Sequence, residues 1–360
     1  MSYIVAIETA LPEHKHPQDA IIDFYQNSTD DENTKRKIKV IAIKAAINTR
    51  YSVLDDFSKA PSEFSFFPKN RYLEPEPNIN TRMALFKKHA CALSLQAIKK
   101  ISNFETIKNS LTHIITVTCT GLSAPGLDIE IIRELKLNNT IQRSSVNFMG
   151  CNAAILALKN ADAICKSFEG ANVLIVCTEL PTIHFQKNYS DDYLLSTALF
   201  GDGCAAILIS SSKPPLPSAI KIKSFYSTIL HDGHDEMAWQ ISDKGFIMNL
   251  TSYVSQLING SIKQLLESSS VNPNEINYWA VHPGGKKILD DFRIALNLSP
   301  DKLKESYSVL SDYGNMSSPT VLFVLKEIID GNKTNKIGEK IFTAAFGPGL
   351  SIETMQLEYV

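Results

Sequence analysis

The chain contains 360 residues, of which 44% are hydrophobic, and it carries a formal net charge of −2. This length and composition are sufficient for a large buried core, in one large or two medium-sized domains. The near-neutral charge disfavours a nucleic-acid-binding protein, because the only basic run, residues 35–39, is too short to form an extended phosphate-binding surface.

Two further features indicate a cytoplasmic protein. The N-terminal residues have no leader pattern, and no apolar run approaches the roughly 18 residues that a membrane-spanning helix needs. The six cysteines lie in apolar stretches without a Cys-x-x-Cys pair, which favours reduced thiols over disulfides or zinc ligands. His231 and His234 are close in sequence, but Gly233 between them indicates a turn, so we expect no metal site.

Strand-like and helical runs alternate through the first half of the chain. Such alternation predicts an α/β fold whose sheets are covered by helices. The predicted elements are, in order, a strand over 113–118, a helix over 126–137, a strand over 144–149, a helix over 152–167 and a strand over 172–177.

The second half repeats this order. A strand over 276–281 leads through His282 into a helix, and an extended segment over 307–310 leads through Gly314-Asn315 into a helix that ends near Asp330. The turn at Gly314-Asn315 therefore corresponds to the turn at Gly150-Cys151 in the first half. We infer that the two halves are duplicates.

A third pair of turns supports the duplication. Residues 199–203 and residues 345–349 each form a glycine-containing turn before a strand-like run. We predict two halves, residues 1–212 and residues 213–360, joined by the Ser/Pro-rich segment 210–217, which suits neither a helix nor a central strand.

Cys151 is the first candidate functional residue. It lies between a strand and a helix that begins near Asn152, so unpaired helix N–H groups would favour its thiolate. The pattern predicts a thiol that is more nucleophilic than an ordinary cysteine. The alternative is a structural cysteine packed as a small hydrophobe.

His282 and Asn315 follow the corresponding turns and would face the same centre. A thiol, an imidazole and a carboxamide are suited to acyl transfer with carbon–carbon bond formation, in which Cys151 holds the acyl group and the other two bind a carbonyl oxygen. Taken singly, His282 is also explained as a hydrogen-bonded loop residue, and Asn315 as a turn residue or helix cap.

From about Lys37 to Val360 the sequence resembles the type III polyketide synthases, also called the chalcone synthase family, within the thiolase superfamily. Five segments in order carry the resemblance: 146–151 (VNFMGC), 199–203 (LFGDG), 282–285 (HPGG), 313–318 (YGNMSS) and 346–350 (FGPGL). The resemblance implies an α/β, thiolase-like duplicated αβαβα five-layered fold and a homodimer. It also implies that Cys151 is the nucleophile, with His282 and Asn315 as its catalytic partners.

The resemblance further implies a narrow tunnel that admits coenzyme A thioesters, which are substrates, so that no cofactor is expected. A third basic position of the family pattern is Val40 in this sequence, so the coenzyme contacts are only partly matched. The implied coenzyme-binding residues are Lys37, Lys44, Gly284, Gly285 and Lys287.

Several cavity positions of the family differ in this chain, and we expect a reshaped cavity that is more open near Ala124. Met248 replaces an aromatic gate residue with a flexible side chain, which predicts a wider gate. Ala124 replaces a methionine that reaches across the dimer. The implied gate and cavity residues are Phe200, Met248, Cys119, Ala124, His184 and Ser317.

The expected function is that of a type III polyketide synthase: an acyl-CoA starter is loaded on Cys151, extended iteratively with malonyl-CoA and cyclised to a pyrone or a resorcinol-type phenol. A fatty acyl starter fits the altered cavity, although a polar group at His184 would disfavour a lipid tail. The alternatives are a single-condensation ketoacyl synthase that uses acyl carrier protein substrates, and a non-catalytic interaction protein with the same fold.

Overall fold

A computed structural model describes residues 1–215, 219–251, 253–331 and 337–360. Thirteen strands occur among these residues: β1 Tyr3–Ala10, β2 His14–Pro17, β3 Thr49–Ser52, β4 His113–Thr118, β5 Gln142–Asn147, β6 Asn172–Glu179, β7 Gly203–Ser210, β8 Ile220–Ile229, β9 Met237–Ile241, β10 Phe246–Leu250, β11 Tyr278–Val281, β12 Lys340–Gly347 and β13 Ser351–Tyr359. Part of the predicted junction, residues 216–217, lies outside the described residues.

The same ranges contain eleven α-helices. They are α1 Gln18–Asn27, α2 Glu32–Lys44, α3 Ile79–Lys99, α4 Phe104–Ile107, α5 Leu127–Leu135, α6 Ala153–Ser167, α7 Asp191–Leu199, α8 Val254–Ser268, α9 Lys286–Ala295, α10 Lys304–Tyr313 and α11 Thr320–Gly331. None of the helices in the described ranges is both long enough and apolar enough to cross a bilayer.

Nine strands form one continuous sheet in the order β11-β12-β13-β8-β1-β7-β6-β4-β5. In the first half, β4 is parallel to β6, and β6-β7-β1 are successively antiparallel. In the second half, β11 is parallel to β12, and β12-β13-β8 are successively antiparallel. Four strands of each half therefore have the same arrangement, while β5 of the first half has no counterpart among the described strands of the second, and the halves meet where β1 pairs with β8.

The helices complete five layers around this sheet. Helices α6 and α11 are the central layer: their apolar side chains share one core with strands of both halves. Helices α3 and α5 cover the outer face of the first half, while α8 and α9 cover the outer face of the second. The small side chains of Ala153, Ala154, Ala157 and Ala161 on α6 are fully buried, and they allow this close approach. The predicted five-layered, thiolase-like αβαβα fold is confirmed.

Most of the predicted elements are present, and one is wrong. The strands predicted over 113–118 and 172–177 and the helix predicted over 152–167 are observed within a few residues of their predicted bounds. Residues 307–310, predicted to be extended, lie inside helix α10. Val309 and Leu310 pack into the core from one side of this helix. The apolar residues of this segment therefore belong to the buried side of an amphipathic helix and not to a strand.

A two-stranded hairpin lies outside the large sheet. Strands β9 and β10 pair antiparallel, with Trp239 opposite Met248. The hairpin is fixed to the first half by Gln186, whose amide donates to the Phe246 carbonyl, and by the buried guanidinium of Arg82, which donates to the carbonyls of Lys244 and Ile183. It forms one wall of the cavities described below.

Candidate active site

Cys151 lies at the end of a sharp turn between β5 and α6. Gly150 has a positive φ of 86°, and a side chain there would place its Cβ 2.1 Å from Cδ of Pro348. Only glycine fits this close approach. The turn directs the thiol inward, and Cys151 is 5% exposed.

The Cys151 thiol faces Asn315, with 4.0 Å between Sγ and Oδ1. Burial raises the pKa of Cys151 to about 12, although its hydrogen bonds with Ser317 and Asn315 act in the opposite direction. The prediction of a lowered pKa is therefore wrong, because desolvation of the sulfur outweighs the effect of the helix N-terminus. Cys151 is a neutral thiol in this site and needs a base to become a nucleophile.

His282 follows strand β11, and its backbone N–H donates to the Ala344 carbonyl at 2.8 Å. The side chain is 1% exposed, and neither ring nitrogen has a hydrogen-bond partner among the described residues. Burial lowers the pKa of His282 to about 3, so the ring is neutral. A buried neutral imidazole with two unused nitrogens can both accept and donate a proton towards a bound molecule.

Asn315 follows α10 through Gly314, whose φ is +70°. Its Oδ1 accepts from the backbone N–H of Ser317 at 2.8 Å, and its Nδ2 donates to the Gly284 carbonyl at 3.4 Å. Gly284 in turn packs against the ring of His282. These contacts fix the carboxamide orientation. They connect Asn315 to Cys151 on one side and, through Gly284, to His282 on the other, and all three side chains are buried.

A cavity of about 20 Å³ adjoins the thiol. Of the predicted gate and cavity residues, Phe200, Met248, Cys119 and Ser317 line it. Ala124 does not: it is exposed on the surface of the single chain, which is where a position implied to reach across a dimer would lie.

A second cavity of about 50 Å³ lies beyond a wall that includes Phe200, Trp239 and Met248, which line both spaces. His184 lines this second cavity and stacks on Phe246 with ring centroids 4.2 Å apart. The expectation that His184 would offer a polar group to a lipid tail is wrong, because both of its nitrogens are used. Nε2 donates to the Thr120 carbonyl, and Nδ1 accepts from the backbone N–H of Phe246.

Sequence reasoning missed two residues of the site. Trp239 divides the two cavities and is held by its indole N–H, which donates to the Cys119 carbonyl at 2.9 Å. It lies on a short outlying strand whose pairing no sequence pattern indicated. Glu179 ends the buried strand β6, and a lone carboxylate at the end of an apolar strand is a signal that was available.

The Glu179 carboxylate accepts hydrogen bonds from the Cys119 backbone and from the hydroxyls of Thr118, Thr120 and Ser318. Burial nevertheless raises the pKa of Glu179 to about 7. Because Cys119 lines the thiol cavity and Ser318 follows Ser317, this carboxyl group supports two of the cavity walls.

A third, larger cavity of about 410 Å³ opens at the surface between α2, α7 and α9, and we call it the mouth. Of the predicted coenzyme-binding residues, Lys44, Gly284, Gly285 and Lys287 line it. Lys37 does not, and instead forms an ion pair with Asp191. The mouth also contains carboxylates, those of Asp191 and Asp192, which the sequence analysis did not predict.

Residues 1–214 match the family model for the N-terminal domain of chalcone and stilbene synthases, and residues 221–360 match the model for the C-terminal domain. The chain belongs to the chalcone and stilbene synthase family. It is a chalcone synthase-like type III polyketide synthase, an acyltransferase-type enzyme, and the family implies acyl-CoA and malonyl-CoA as substrates. The family assignment decides against the non-catalytic reading and favours this family over a priming ketoacyl synthase.

Solved structures of type III polyketide synthases have the same fold as this family member. The crystal structure of PKS-I from the brown alga Ectocarpus siliculosus has a TM-score of 0.93 at 24% sequence identity, and the match covers 100% of this chain and 98% of that one. The C-terminal type III polyketide synthase domain of Steely1, a type I/III hybrid from Dictyostelium, has a TM-score of 0.89 at 27% identity, with 100% and 99% coverage.

Proposed function

We propose that this enzyme loads an acyl starter on Cys151, extends it iteratively by decarboxylative condensation with malonyl-CoA, and releases a pyrone or resorcinol-type product. The observation that carries the proposal is the fully buried imidazole of His282, which has no hydrogen-bond partner among the described residues. It lies next to Gly284, whose carbonyl accepts from the fixed carboxamide of Asn315, and that carboxamide faces the Cys151 thiol. Buried polar groups are normally paired, and a site that leaves an imidazole unpaired provides a partner for a substrate.

Loading begins with proton transfer from Cys151, a neutral thiol, to a ring nitrogen of the neutral His282. The sulfur attacks the thioester carbonyl, and the carbon–sulfur bond to coenzyme A breaks. The leaving thiolate takes the proton from His282, so the imidazole becomes neutral again. The acyl group is now bound to Cys151 as a thioester.

Extension uses the same groups in a different role. Malonyl-CoA loses carbon dioxide, and the electron pair of the broken bond forms an enolate whose oxygen accepts from a His282 N–H and from Nδ2 of Asn315. The enolate carbon attacks the acyl group, and Cys151 leaves as a thiolate that a proton from solvent restores. The lengthened chain returns to Cys151 for the next round.

An apolar starter tail is supported by the second cavity. Its wall is rich in aromatic side chains, including Phe57, Phe185 and Tyr193. It also contains polar side chains, of which His184 has both nitrogens hydrogen-bonded and Arg50 donates to groups within the protein. Burying an alkyl chain there therefore leaves no imidazole nitrogen unsatisfied. We propose a fatty acyl starter whose tail passes the flexible Met248 side chain into this space, giving an alkylpyrone or alkylresorcinol.

A homodimer in the cytoplasm completes the proposal. Among the described strands β5 pairs only with β4, so its other edge is open there, and most of its residues are exposed. Met149, which follows it, is 47% exposed, and Leu122 is also exposed. An open, exposed sheet edge is a natural place for a second chain to pair. The six free cysteines support a reducing compartment.

Product analysis by mass spectrometry tests the proposal. Purified protein is mixed with malonyl-CoA and a series of short, medium and long acyl-CoA starters, beside Cys151→Ala and the control Cys165→Ala, another buried cysteine. Pyrones or resorcinols that disappear only in Cys151→Ala are the expected result. If free thioesters give no product but carrier-bound ones are extended once, the ketoacyl synthase alternative is correct.

A further inference from the structure

Helix α2 borders the mouth with one side and faces outward with another. Ile38 and Ala42 are buried in the core, and Ile41 and Lys44 line the mouth. The remaining surface, which we call the α2 outer face, starts at Lys44 and continues along two helical rows. It consists of Arg36, Val40 and Lys44 in one row and Lys39 and Ile43 in the other, all exposed.

The cations of this face are unpaired. Arg36, Lys39 and Lys44 have no carboxylate within ion-pair distance in the part of the chain that the structure describes. The neighbouring lysines of α2 do have ion-pair partners: Lys35 pairs with Glu32, and Lys37 pairs with Asp191 on α7. The α2 outer face is therefore an exposed patch of uncompensated positive charge.

The lysines on the α9 side of the mouth are also compensated. Lys286 pairs with Asp290, and Lys287 pairs with Asp291. Of the three lysines that line the mouth, Lys44 alone has no ion-pair partner in the described part of the chain. The uncompensated positive charge at the mouth is therefore on its α2 side, next to the α2 outer face.

Two aliphatic side chains lie between the unpaired cations. Val40 is 45% exposed and Ile43 is 63% exposed, and they are neighbours on the helix surface. An apolar centre flanked by charges of one sign is typical of a protein-binding surface, in which the apolar part contributes affinity and the charges guide the approach.

We propose that the α2 outer face is a docking surface for an acidic acyl carrier protein, which delivers the starter as a thioester on its phosphopantetheine arm through the mouth. The arm carries one phosphodiester and no nucleotide, so it needs fewer cations in the mouth than coenzyme A does. Acidic side chains on the carrier would pair with Arg36 and Lys39, and its apolar side chains would cover Val40 and Ile43. The proposal rests on the function proposed above and adds a second route of starter delivery.

A membrane surface is the less suitable partner. The α2 outer face offers two aliphatic side chains and no aromatic one, whereas stable binding to lipid needs a larger buried apolar area or a second anchoring signal. The position of the face also favours the carrier, because docking beside the mouth places the thioester arm where it can enter.

The test compares three dodecanoyl donors: the loaded bacterial acyl carrier protein, dodecanoyl-CoA and dodecanoyl-N-acetylcysteamine, which has no phosphate. The variant is Arg36→Glu/Lys39→Glu, and the matched control is Lys87→Glu/Lys88→Glu, two exposed lysines of α3 away from the mouth. We expect the first variant to lower kcat/KM for the carrier-bound donor by about tenfold or more while the other two donors change less than about twofold. The control variant is expected to leave all three unchanged.

A second variant, Val40→Ser/Ile43→Ser, tests the apolar part without changing charge and is expected to weaken carrier use in the same selective way. Equal losses with dodecanoyl-CoA and with the carrier would overturn the proposal in favour of a coenzyme phosphate site. The proposal would also be overturned if the wild type did not use the carrier-bound donor, or if neither variant lowered kcat/KM for that donor. A third contrary result would be binding to anionic phosphatidylglycerol vesicles that the variants weaken while use of the carrier-bound donor stays unchanged. Failure of the proposed function is distinct, because then no donor gives a pyrone or a resorcinol-type product.

Discussion

At the scale of single residues, burial sets the protonation state of the site. Cys151, His282 and Glu179 are all nearly fully buried, and in each case desolvation is the largest cause of the shifted pKa. The neutral form of each group is favoured as a result. The Cys–His pair therefore rests as thiol and imidazole, and charge appears only as a substrate reacts.

Substitutions of His282 separate its two proposed roles. His282→Gln keeps an N–H donor but cannot accept the Cys151 proton, so starter loading is expected to fall while decarboxylation of malonyl-CoA is partly retained. His282→Ala removes both the N–H donor and the proton acceptor, and we expect decarboxylation of malonyl-CoA to slow by about 10²–10³-fold. Acylation of Cys151 measured by intact-protein mass spectrometry and release of carbon dioxide report the two steps. Equal loss of both steps in the two variants would contradict the assignment.

The raised pKa of Glu179 predicts a pH-dependent stability. An unfolded glutamate loses its proton near pH 4.5, whereas Glu179 in the folded protein keeps it until about pH 7. The folded state binds more protons in this window, so the Glu179 contribution lowers stability as pH rises from about 4.5 to 7.

Glu179→Gln removes this titration. Relative to the wild type, the variant is therefore expected to gain roughly 3 kcal/mol of unfolding free energy between pH 4.5 and pH 7.5. Urea denaturation of both proteins at the two pH values gives the difference, in which the other titrating groups cancel. A difference between the two proteins that does not change with pH would show that Glu179 ionises normally.

At the scale of elements, the β9–β10 hairpin determines the division of the acyl-binding space. Its residues Trp239 and Met248 line both cavities, and its position depends on hydrogen bonds from Arg82, Gln186 and the backbone of Phe246 to His184. A strand pair outside the main sheet can vary without disturbing the core, which makes it suitable for determining substrate preference.

Trp239 is expected to limit the length of the starter. Trp239→Ala would join the two cavities and shift the preferred acyl-CoA towards longer chains, whereas Trp239→Phe keeps most of the ring, loses the hydrogen bond to Cys119 and should shift the preference less. The measurement is kcat/KM across a series of starter lengths. Trp279→Phe, a buried tryptophan that lines neither cavity, is the control. An unchanged length profile in Trp239→Ala would exclude this role.

At the scale of the whole molecule, duplication explains the position of the site. The turns after β5 and α10 bring Cys151 and Asn315 together because the two halves share the central helices α6 and α11, which begin close to these turns. The same architecture leaves β5 at the end of the sheet, where its outer edge is open.

The open edge predicts the state of assembly. We expect analytical ultracentrifugation to give the mass of a dimer, and Met149→Asp to give a monomer that retains its circular dichroism spectrum, because a carboxylate in an apolar interface is costly to desolvate. Ile294→Asp, which alters an equally exposed aliphatic residue of α9, should remain dimeric. A wild-type monomer would contradict the prediction.

The sequence predictions are accurate where a feature depends on residues close together in the chain, and they fail where it depends on distant segments. Strand β4 and helix α6 were predictable because their patterns are local: every residue of β4 is buried, and α6 has apolar residues recurring along one buried side. Residues 307–310 were assigned incorrectly because four residues do not distinguish a helical from an alternating pattern. Trp239 was missed because its importance depends on which cavities its strand separates, and that is a property of distant segments.

The sequence by itself determined the α/β class, the duplicated halves and the grouping of a thiol, an imidazole and a carboxamide, because glycine turns and hydrophobic periodicity are encoded locally. Only the tertiary structure decided how these groups are charged, which cations of the mouth are paired, and how the acyl-binding space is divided. Those properties depend on desolvation and on distances between residues far apart in the chain, such as Cys151 and Asn315 or Lys37 and Asp191, which no local pattern specifies.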